Sequence, residues 1–434
     1  MARIDVGNAR LGRLGAILAV GLMLAPVVAS AQSGPVATPD VATAPAAEPN
    51  PVLDGLIQTL AVEAAALRIS RATLERALTG LTRDPDVVAL SKAQPEYERT
   101  VGQYIEALVS AARIETGQAR LAELSDVLGR IEAAFGVDRH VLVAVWGIES
   151  NYGQAQGERN VIRSLATLML EDQRRPEFWK RELLAALRIL EQGDIEPAAM
   201  TGSWAGAMGH TQFMPTSYQR LAVDFDGDGR RDIWRSPADA LASTAKYLKT
   251  SGWISAMPAV IEVVLPAGFD YALTAQGEQR PAAFWAERGL QPPGAAALPA
   301  IDAKHKLRVL LPAGARGPAF LVSANFNAIL RYNSAVAYAL AVAHLADRMA
   351  GGAAFSAAWP AERALNRAER EELQQRLAAR GHNVGVDGLI GSLTRTAIRS
   401  YQTESGLVAD GHPGLELLER LRASGEPATG PGKP

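Results

Sequence analysis

The stretch Asp138-Arg139-His140-Val141-Leu142-Val143-Ala144-Val145-Trp146-Gly147-Ile148-Glu149-Ser150-Asn151-Tyr152-Gly153 decides how this chain is read. Asp138 is of the N-cap type, and the segment from Arg139 to about Ser150 is apolar on every side, the pattern of a buried helix. The segment ends in one carboxylate and then breaks at glycine. A glutamic acid there is disfavoured as an anion twice, by poor solvation and by the negative end of the helix dipole. Both effects raise its pKa and hold Glu149 protonated near neutral pH, the state a general acid needs. The competing reading is a helix-end glutamate that points into solvent.

Outward towards the N-terminus, residues 1–31 read as an export signal. Arg3, Arg10 and Arg13 form the positive region, Leu14 to Val28 is apolar, and Ala29-Ser30-Ala31 gives a small-x-small cleavage site before Gln32. The apolar run is short for a membrane span, and Pro26 interrupts its end. An uncleaved anchor is the alternative. The chain has no cysteine, which excludes disulfides, thiolate metal sites and attachment through a lipidated cysteine. A periplasmic protein that is not a lipoprotein is expected. Losing the signal leaves about 400 residues, enough to build a core without disulfides. The formal net charge is −2 and no run of lysine or arginine stands out, which argues against nucleic acid and against an electrostatic membrane tether.

Residues 32–51 are rich in Ala, Pro, Val and Thr without periodicity and read as a disordered leader. From Leu53 to Arg130 the pattern is helical. Leu56, Leu60, Ala64 and Leu67 share one face, and Tyr104, Leu108 and Ala111 another. Helical stretches follow the Glu149 segment at Val161–Leu170 and Phe178–Leu190, and a glycine-rich loop runs from Thr201 to Gly209. Three short β-branched runs, Val260–Leu265, Leu307–Leu311 and Ala319–Val322, predict a small sheet between helices. One helix is expected from Asn325 to about Met349, and Gly351-Gly352-Ala353-Ala354 opens a short linker. In the last sixty or so residues Val386-Asp387-Gly388 is echoed by Ala409-Asp410-Gly411, each Asp-Gly forming a turn between helices. Leu373, Leu377, Ala397, Ile398, Tyr401 and Leu407 supply a small three-helix core.

Four motifs in order give the chain a family likeness: Trp146 to Gly153; Gly202-Ser203-Trp204-Ala205-Gly206-Ala207-Met208-Gly209-His210-Thr211-Gln212-Phe213-Met214-Pro215; Asp224-Phe225-Asp226-Gly227-Asp228-Gly229; and Asn325-Phe326-Asn327-Ala328-Ile329-Leu330-Arg331-Tyr332-Asn333-Ser334. Across roughly Leu53 to Met349 the chain resembles the B-type lytic murein transglycosylases, glycoside hydrolase family 103. The unit from about Glu362 to Arg422 resembles the small peptidoglycan-binding domain appended to wall enzymes, through Leu373-Gln374, Val386-Asp387-Gly388, Gly391, Thr394 and Tyr401-Gln402.

The resemblance implies Glu149 as the single catalytic carboxylate, acting on peptidoglycan glycan strands. Ordinary glycosidases use a second carboxylate as nucleophile or base; the motifs here offer neutral Ser203, Gln212, Tyr332 and Asn333 instead. By resemblance, Ser203 contacts the N-acetyl group, Asn333 partners Glu149 or the sugar, and Gln212, Tyr332, Tyr338 and Tyr104 line subsites. Arg174 and Arg175 match an arginine pair used towards acidic peptide stems. Tyr104 and Tyr338 are read equally well as core, the arginine pair as a solvated face.

Asp224, Asp226 and Asp228 followed by Gly229 match the first half of an EF-hand loop, with the Arg230 carbonyl at the seventh position. The twelfth position is Arg235 where a glutamate belongs, and the resemblance offers Asp239 as the late carboxylate. A structural calcium ion is expected and no catalytic cofactor; the alternative is a metal-free stack of turns. Six scattered histidines show no metal spacing, and His382 and His412 are read as surface residues of the small unit.

The expected fold is mostly α (α+β). A lysozyme-like helical catalytic core with a small inserted β-sheet spans 52–350. A linker at 351–361, a C-terminal three-helix peptidoglycan-binding module at 362–423 and a flexible tail at 424–434 follow. The expected protein is a monomer working on the wall beside other cell-wall enzymes. The competing functions are a hydrolysing muramidase and, in another class, an inactive peptidoglycan-binding scaffold.

Overall fold

The computed structural model describes residues 55–92, 99–274 and 278–425. The signal and leader expected over 1–51 lie outside these residues, as does the tail from 426 on. Among the described residues seven helices precede the first strand: α1 Leu56–Ala66, α2 Arg71–Leu78, α3 Pro85–Lys92, α4 Val101–Leu108, α5 Ala111–Glu123, α6 Ser125–Phe135 and α7 Arg139–Ser150. Helix α7 has the bounds its sequence predicts. The Asp138 carboxylate accepts the His140 amide at 2.7 Å, satisfying one donor that the first turn leaves open. Val141, Leu142, Val143, Val145 and Trp146 are all buried on α7, worth roughly 1.5–3 kcal/mol apiece. The whole cylinder is therefore locked into the interior, and its C-terminal end is a fixed point.

Two apolar cores meet at that end. The first gathers α1, α2, α8 Val161–Glu171, α9 Pro176–Gln192 and α10 Pro215–Leu221. The second gathers α6, α7, α11 Pro237–Thr250, α13 Ala324–Tyr332 and α14 Val336–Met349. Tyr332 packs against both. The inserted sheet has order β3-β6-β5-β4, all neighbours antiparallel, from β3 Val260–Val263, β4 Arg280–Pro281, β5 Lys306–Leu310 and β6 Ala319–Val322. A short helix, α12 Ala282–Glu287, sets Trp285 in the sheet's own apolar cluster, where its indole donates to the Leu307 carbonyl at 3.1 Å. A further two-stranded ribbon pairs β1 Arg159–Asn160 with β2 Thr201–Gly202.

Two expectations about helices differ from the structure. The Tyr104, Leu108 and Ala111 stripe is not one face, because α4 ends at Leu108, Ser110 caps α5, and Ala111 is exposed. The residues that α4 buries are Gly102 and Ile105. The helix expected over 325–349 is two. Asn333 turns extended (φ −142°, ψ 123°) and its side chain accepts the Ala335 amide at 3.1 Å, a local bond that competes with the helix. The linker expected over 351–361 packs on the core. Phe355 stacks on His344 (3.7 Å between centroids, 17°) and lies 4.8 Å from Phe320, while the Ser356 and Ala357 amides donate to Glu262 at 2.9–3.0 Å.

The C-terminal module has three helices, Arg367–Ala379, Ser392–Glu404 and Leu415–Ala423, around Leu373, Leu377, Ala397, Ile398, Tyr401, Leu417, Leu418 and Leu421. Leu407 packs at its edge. His382 is a correction: its side chain is only 7 % exposed, edge-on to Tyr401. The module contacts the catalytic core directly. Arg316 pairs with Glu362 and Glu416, Asp410 accepts the Ala315 amide, and Arg399 reaches the Thr274 carbonyl.

Candidate active site

Glu149 lies in the last turn of α7, half-buried, with Gly147 and Ser150 buried beside it. Beyond it Asn151, Tyr152 and Gly153 all take left-handed backbone, φ 49°, 58° and 86°. For a tyrosine this costs on the order of 1–3 kcal/mol, and the surroundings hold it there. The Tyr152 ring is 3 % exposed, sits edge-on to Trp146 at 5.7 Å, and its hydroxyl donates to the Arg113 carbonyl at 2.7 Å. An added Cβ on Gly153 would sit 2.4 Å from the His210 ring, so only glycine fits the close approach. The chain thus turns away sharply and leaves the acid at the helix end.

His210 ties this turn to the glycine-rich loop. The Trp146 indole donates to His210 Nδ1 at 3.0 Å, and the Ser150 hydroxyl donates to the His210 carbonyl while accepting the Gly153 amide at 2.9 Å. An indole N–H only donates, so Nδ1 is the acceptor, and burial pushes His210 down to about 4, which keeps it neutral. The sequence shows His210 inside a quoted motif, but only the fold shows that it braces the acid's helix. Glu182 is a second residue that sequence reasoning missed. It is a buried carboxyl raised by desolvation, but both its oxygens are engaged by Thr216, so it fixes the start of α10 rather than facing a substrate.

Burial pushes the Glu149 carboxyl up to about 7, against the pull of one hydrogen bond from Tyr338. That hydroxyl donates to Glu149 Oε1 at 2.6 Å. Tyr338 is 2 % exposed, so the residue expected along a subsite serves the acid itself. Tyr104 and Tyr332 also feel Glu149: burial and then its charge raise Tyr104 to about 12 and hold Tyr332 well above its ordinary value. Among the described residues no cation and no second carboxylate acts on Glu149. The acid sits among phenols.

The remaining candidates are placed as follows. Ser203 is nearly buried and closes its loop, its Oγ accepting the Ala207 amide at 3.0 Å. Gln212, left-handed at φ 53°, spends both amide hydrogens on the Gln156 and Gly209 carbonyls at 2.9 Å, leaving its Oε1 to accept. The Tyr332 hydroxyl donates to the Thr211 carbonyl, and the Asn333 side chain caps Ala335 rather than reaching Glu149. Arg174 pairs with Asp172 and reaches the Ser91 carbonyl, whereas Arg175 lies over the Phe178 and Trp179 rings.

The acidic loop curls as its glycines predict. Asp224 accepts the Gly227 and Gly229 amides, Asp226 accepts Asp228 N–H and the Ser236 hydroxyl, and Asp228 accepts Arg230 N–H. Asp239, fully buried, accepts the Phe225, Asp226 and Asp232 amides, and burial pushes it up to about 6. Carboxylate oxygens of Asp224, Asp226 and Asp239 lie within 4.8 Å of one another, while Asp228 stands outside that triangle. Three hard oxygens at this spacing fit a hard divalent cation.

Comparison with known proteins assigns the chain a family. Residues 54–347 match the family described as "Transglycosylase SLT domain", and residues 366–421 the one described as "Putative peptidoglycan binding domain". Membrane-bound lytic murein transglycosylase B of Escherichia coli (strain K12) is 30% identical over 254 residues, 57% of this chain and 67% of that protein. SltB3 from Pseudomonas aeruginosa, solved in complex with NAG-anhNAM-pentapeptide, superposes with a TM-score of 0.82 at 51% identity, over 85% of this chain and 99% of that one. Escherichia coli Slt35, solved in complex with calcium, gives 0.58 at 28% identity over 69% and 93%.

Proposed function

We propose, for a chain that belongs to the transglycosylase SLT domain family and is a lytic transglycosylase of peptidoglycan, that Glu149 alone carries the reaction, first as acid and then as base. The observation that supports this is a desolvated carboxyl raised to about 7 whose one side-chain partner is a phenol. A protonated Glu149 gives its proton to the oxygen joining N-acetylmuramic acid to N-acetylglucosamine. The C1–O4 bond breaks, and the muramyl N-acetyl group supports the positive C1. The resulting carboxylate takes the C6 hydroxyl proton as O6 bonds to C1, which closes a 1,6-anhydromuramyl end. Glu149 finishes protonated and no water is consumed. Tyr338 holds Oε1, leaves Oε2 to the sugar, and steadies the carboxylate between the two transfers. Ser203, Gln212, Asn333, Tyr104 and Tyr332 line the glycan path, and Arg174 and Arg175 face acidic stems. Mass spectrometry of products from purified sacculi tests the reading: ends one water lighter than a reducing sugar support it, and reducing ends sink it.

The enzyme is exported by residues 1–31 and works in the periplasm as a monomer, without a lipid anchor, since it has no cysteine. The segment from 362 to 423 holds it to the wall. Calcium sits at Asp224, Asp226 and Asp239 as a structural ion that balances a buried carboxyl. Binding the folded state alone, calcium should raise the melting temperature by mass action, and Asp226→Ala should abolish the rise. An unchanged melting temperature with calcium would reduce the loop to a stack of turns.

A further inference from the structure

Helix α4 is only eight residues long and carries Tyr104, one of the phenols that feel the charge of Glu149. Two others, Tyr332 and Tyr338, come from α13 and α14, which lie deep in the second core. Tyr338 is also tied to the acid by its hydroxyl. The placement of Tyr104 rests on α4 itself. A reciprocal cap fixes the start of this helix: Thr100 Oγ1 accepts the Gln103 amide at 3.3 Å and Gln103 Oε1 accepts the Thr100 amide at 3.0 Å. One side of α4 rests on α14.

The buried Gly102 opens a second contact. A Cβ there would lie 2.6 Å from Trp359 Cγ and 2.8 Å from Trp359 Cβ, so the indole lies directly against the α4 backbone. Tyr104 follows two residues later, about 200° further round the helix, so α4 stands between Trp359 on one flank and the phenol on the other. Trp359 is itself fastened. Its ring lies 6.4 Å from Phe320 and 6.5 Å from Phe355 between centroids. The chain before it is held by Glu262, which accepts the Ser356 and Ala357 amides. The chain after it is held by Glu362, which meets Arg316 at 3.4 Å and His412 at 2.8 Å. Trp359 belongs to neither matched domain, since one ends at 347 and the next begins at 366.

We propose that Trp359 is a positioning residue for the transglycosylase reaction, a wedge that holds α4, and Tyr104 with it, against Glu149 and keeps water from the carboxyl. This rests on reading Glu149 as the acid. Without the indole, α4 moves into the vacated space, Tyr104 withdraws and water reaches Glu149. Hydration removes part of the burial that raises the acid, so its proton is lost at lower pH.

The test reads kcat against pH on soluble glycan strands with the full-length chain, at a temperature where circular dichroism shows every variant folded. Trp359→Ala should lower kcat about tenfold or more, since an ångström of misplacement from a distant change can cost about 100-fold. Its alkaline limb should move down by about half a pH unit or more, a fraction of what full burial commands. Gly102→Ala improves the propensity of the helix but drives a methyl into the indole, so kcat and limb should move the same way. Removing the indole makes room for that methyl, so the double variant should be no slower than Gly102→Ala alone. Trp359→Phe keeps a ring over Gly102 and should recover most of the rate. A limb that stays in place in Trp359→Ala, whatever its melting temperature, leaves the indole a purely structural role and overturns the wedge. Losses that multiply in the double variant overturn it as well. Should Trp359→Ala fail to fold, Gly102→Ala decides alone, and an unmoved limb there overturns the wedge. Glu149→Gln tells the two readings apart: if it is inactive, only the wedge falls, and if it is active, the acid falls and the wedge with it.

Discussion

At the scale of single residues, the chemistry turns on the Glu149 proton. Glu149→Gln retains size and polarity but neither gives nor takes a proton, so release of anhydromuropeptides from sacculi should fall by at least ~10²–10⁴-fold. The same variant reports on stability. The folded carboxyl titrates near 7 and an unfolded one near about 4.3, so the folded chain binds the extra proton between those values. That contribution is complete below the unfolded value and lost as pH rises through the folded one. Glu149→Gln should melt higher than its parent at pH 8, and the gap should close by pH 4; a gap that does not change with pH contradicts the burial argument. Tyr338→Phe removes the one bond that lowers the acid's pKa, so the alkaline limb of the kcat profile should move upward. Turnover should fall about tenfold or more. An unshifted limb would free Tyr338 from this role. Glu149 was legible because a lone carboxylate closes a wholly apolar run. Its phenol partner was not, because 189 residues separate the two and nothing local in Tyr338 announces the contact.

At the scale of elements, the tightest constraint is the crossing of α7 by the ring of its own following turn. Alanine is a better helix former than glycine by about 0.8–1.0 kcal/mol, so Gly147→Ala would stabilise an open helix. Here the new Cβ would lie 2.6 Å from the Tyr152 ring, which is pinned through its hydroxyl to Arg113. The variant should melt lower than the parent by several degrees in a thermal scan, with activity falling alongside; a higher melting temperature would show that the ring yields. The elements themselves were legible where periodicity is strong. Helix α7 and the run at 319–322 appear as the pattern predicts, and of the run at 260–265 the sheet takes 260–263. The two-residue strand Arg280–Pro281 was not, since an edge pair containing proline leaves no alternation to see. The break at Asn333 was hidden as well, because one side-chain bond overrides an otherwise continuous helical pattern.

At the scale of the whole molecule, the segment after Gly352 belongs to the catalytic core as much as to the module. Phe355 and Trp359 pack on Phe320, and the Trp359 side chain fills the space above Gly102. A chain ended at residue 350 should therefore expose apolar surface and melt below one ended at 361, a difference that calorimetry reads directly. Equal melting would mean that the aromatic pair contributes no stability. The sequence shows Gly351-Gly352-Ala353-Ala354, the start of a short linker, and the packing on Phe320 depends on contacts 35 residues and more away that no local pattern encodes. The repeated Asp-Gly turn was visible as an echo. Its clamp by Gln374 and Gln402 follows only from the way the helices face one another.

That duplicated turn also sets a protection pattern across the seam between core and module. In the intact chain the Asp410 copy accepts the Ala315 amide, so the module shields one backbone donor of the core. In a core that lacks the module, the Ala315 amide should exchange its hydrogen with solvent faster than in the whole chain, and equal exchange would mean that the contact protects nothing.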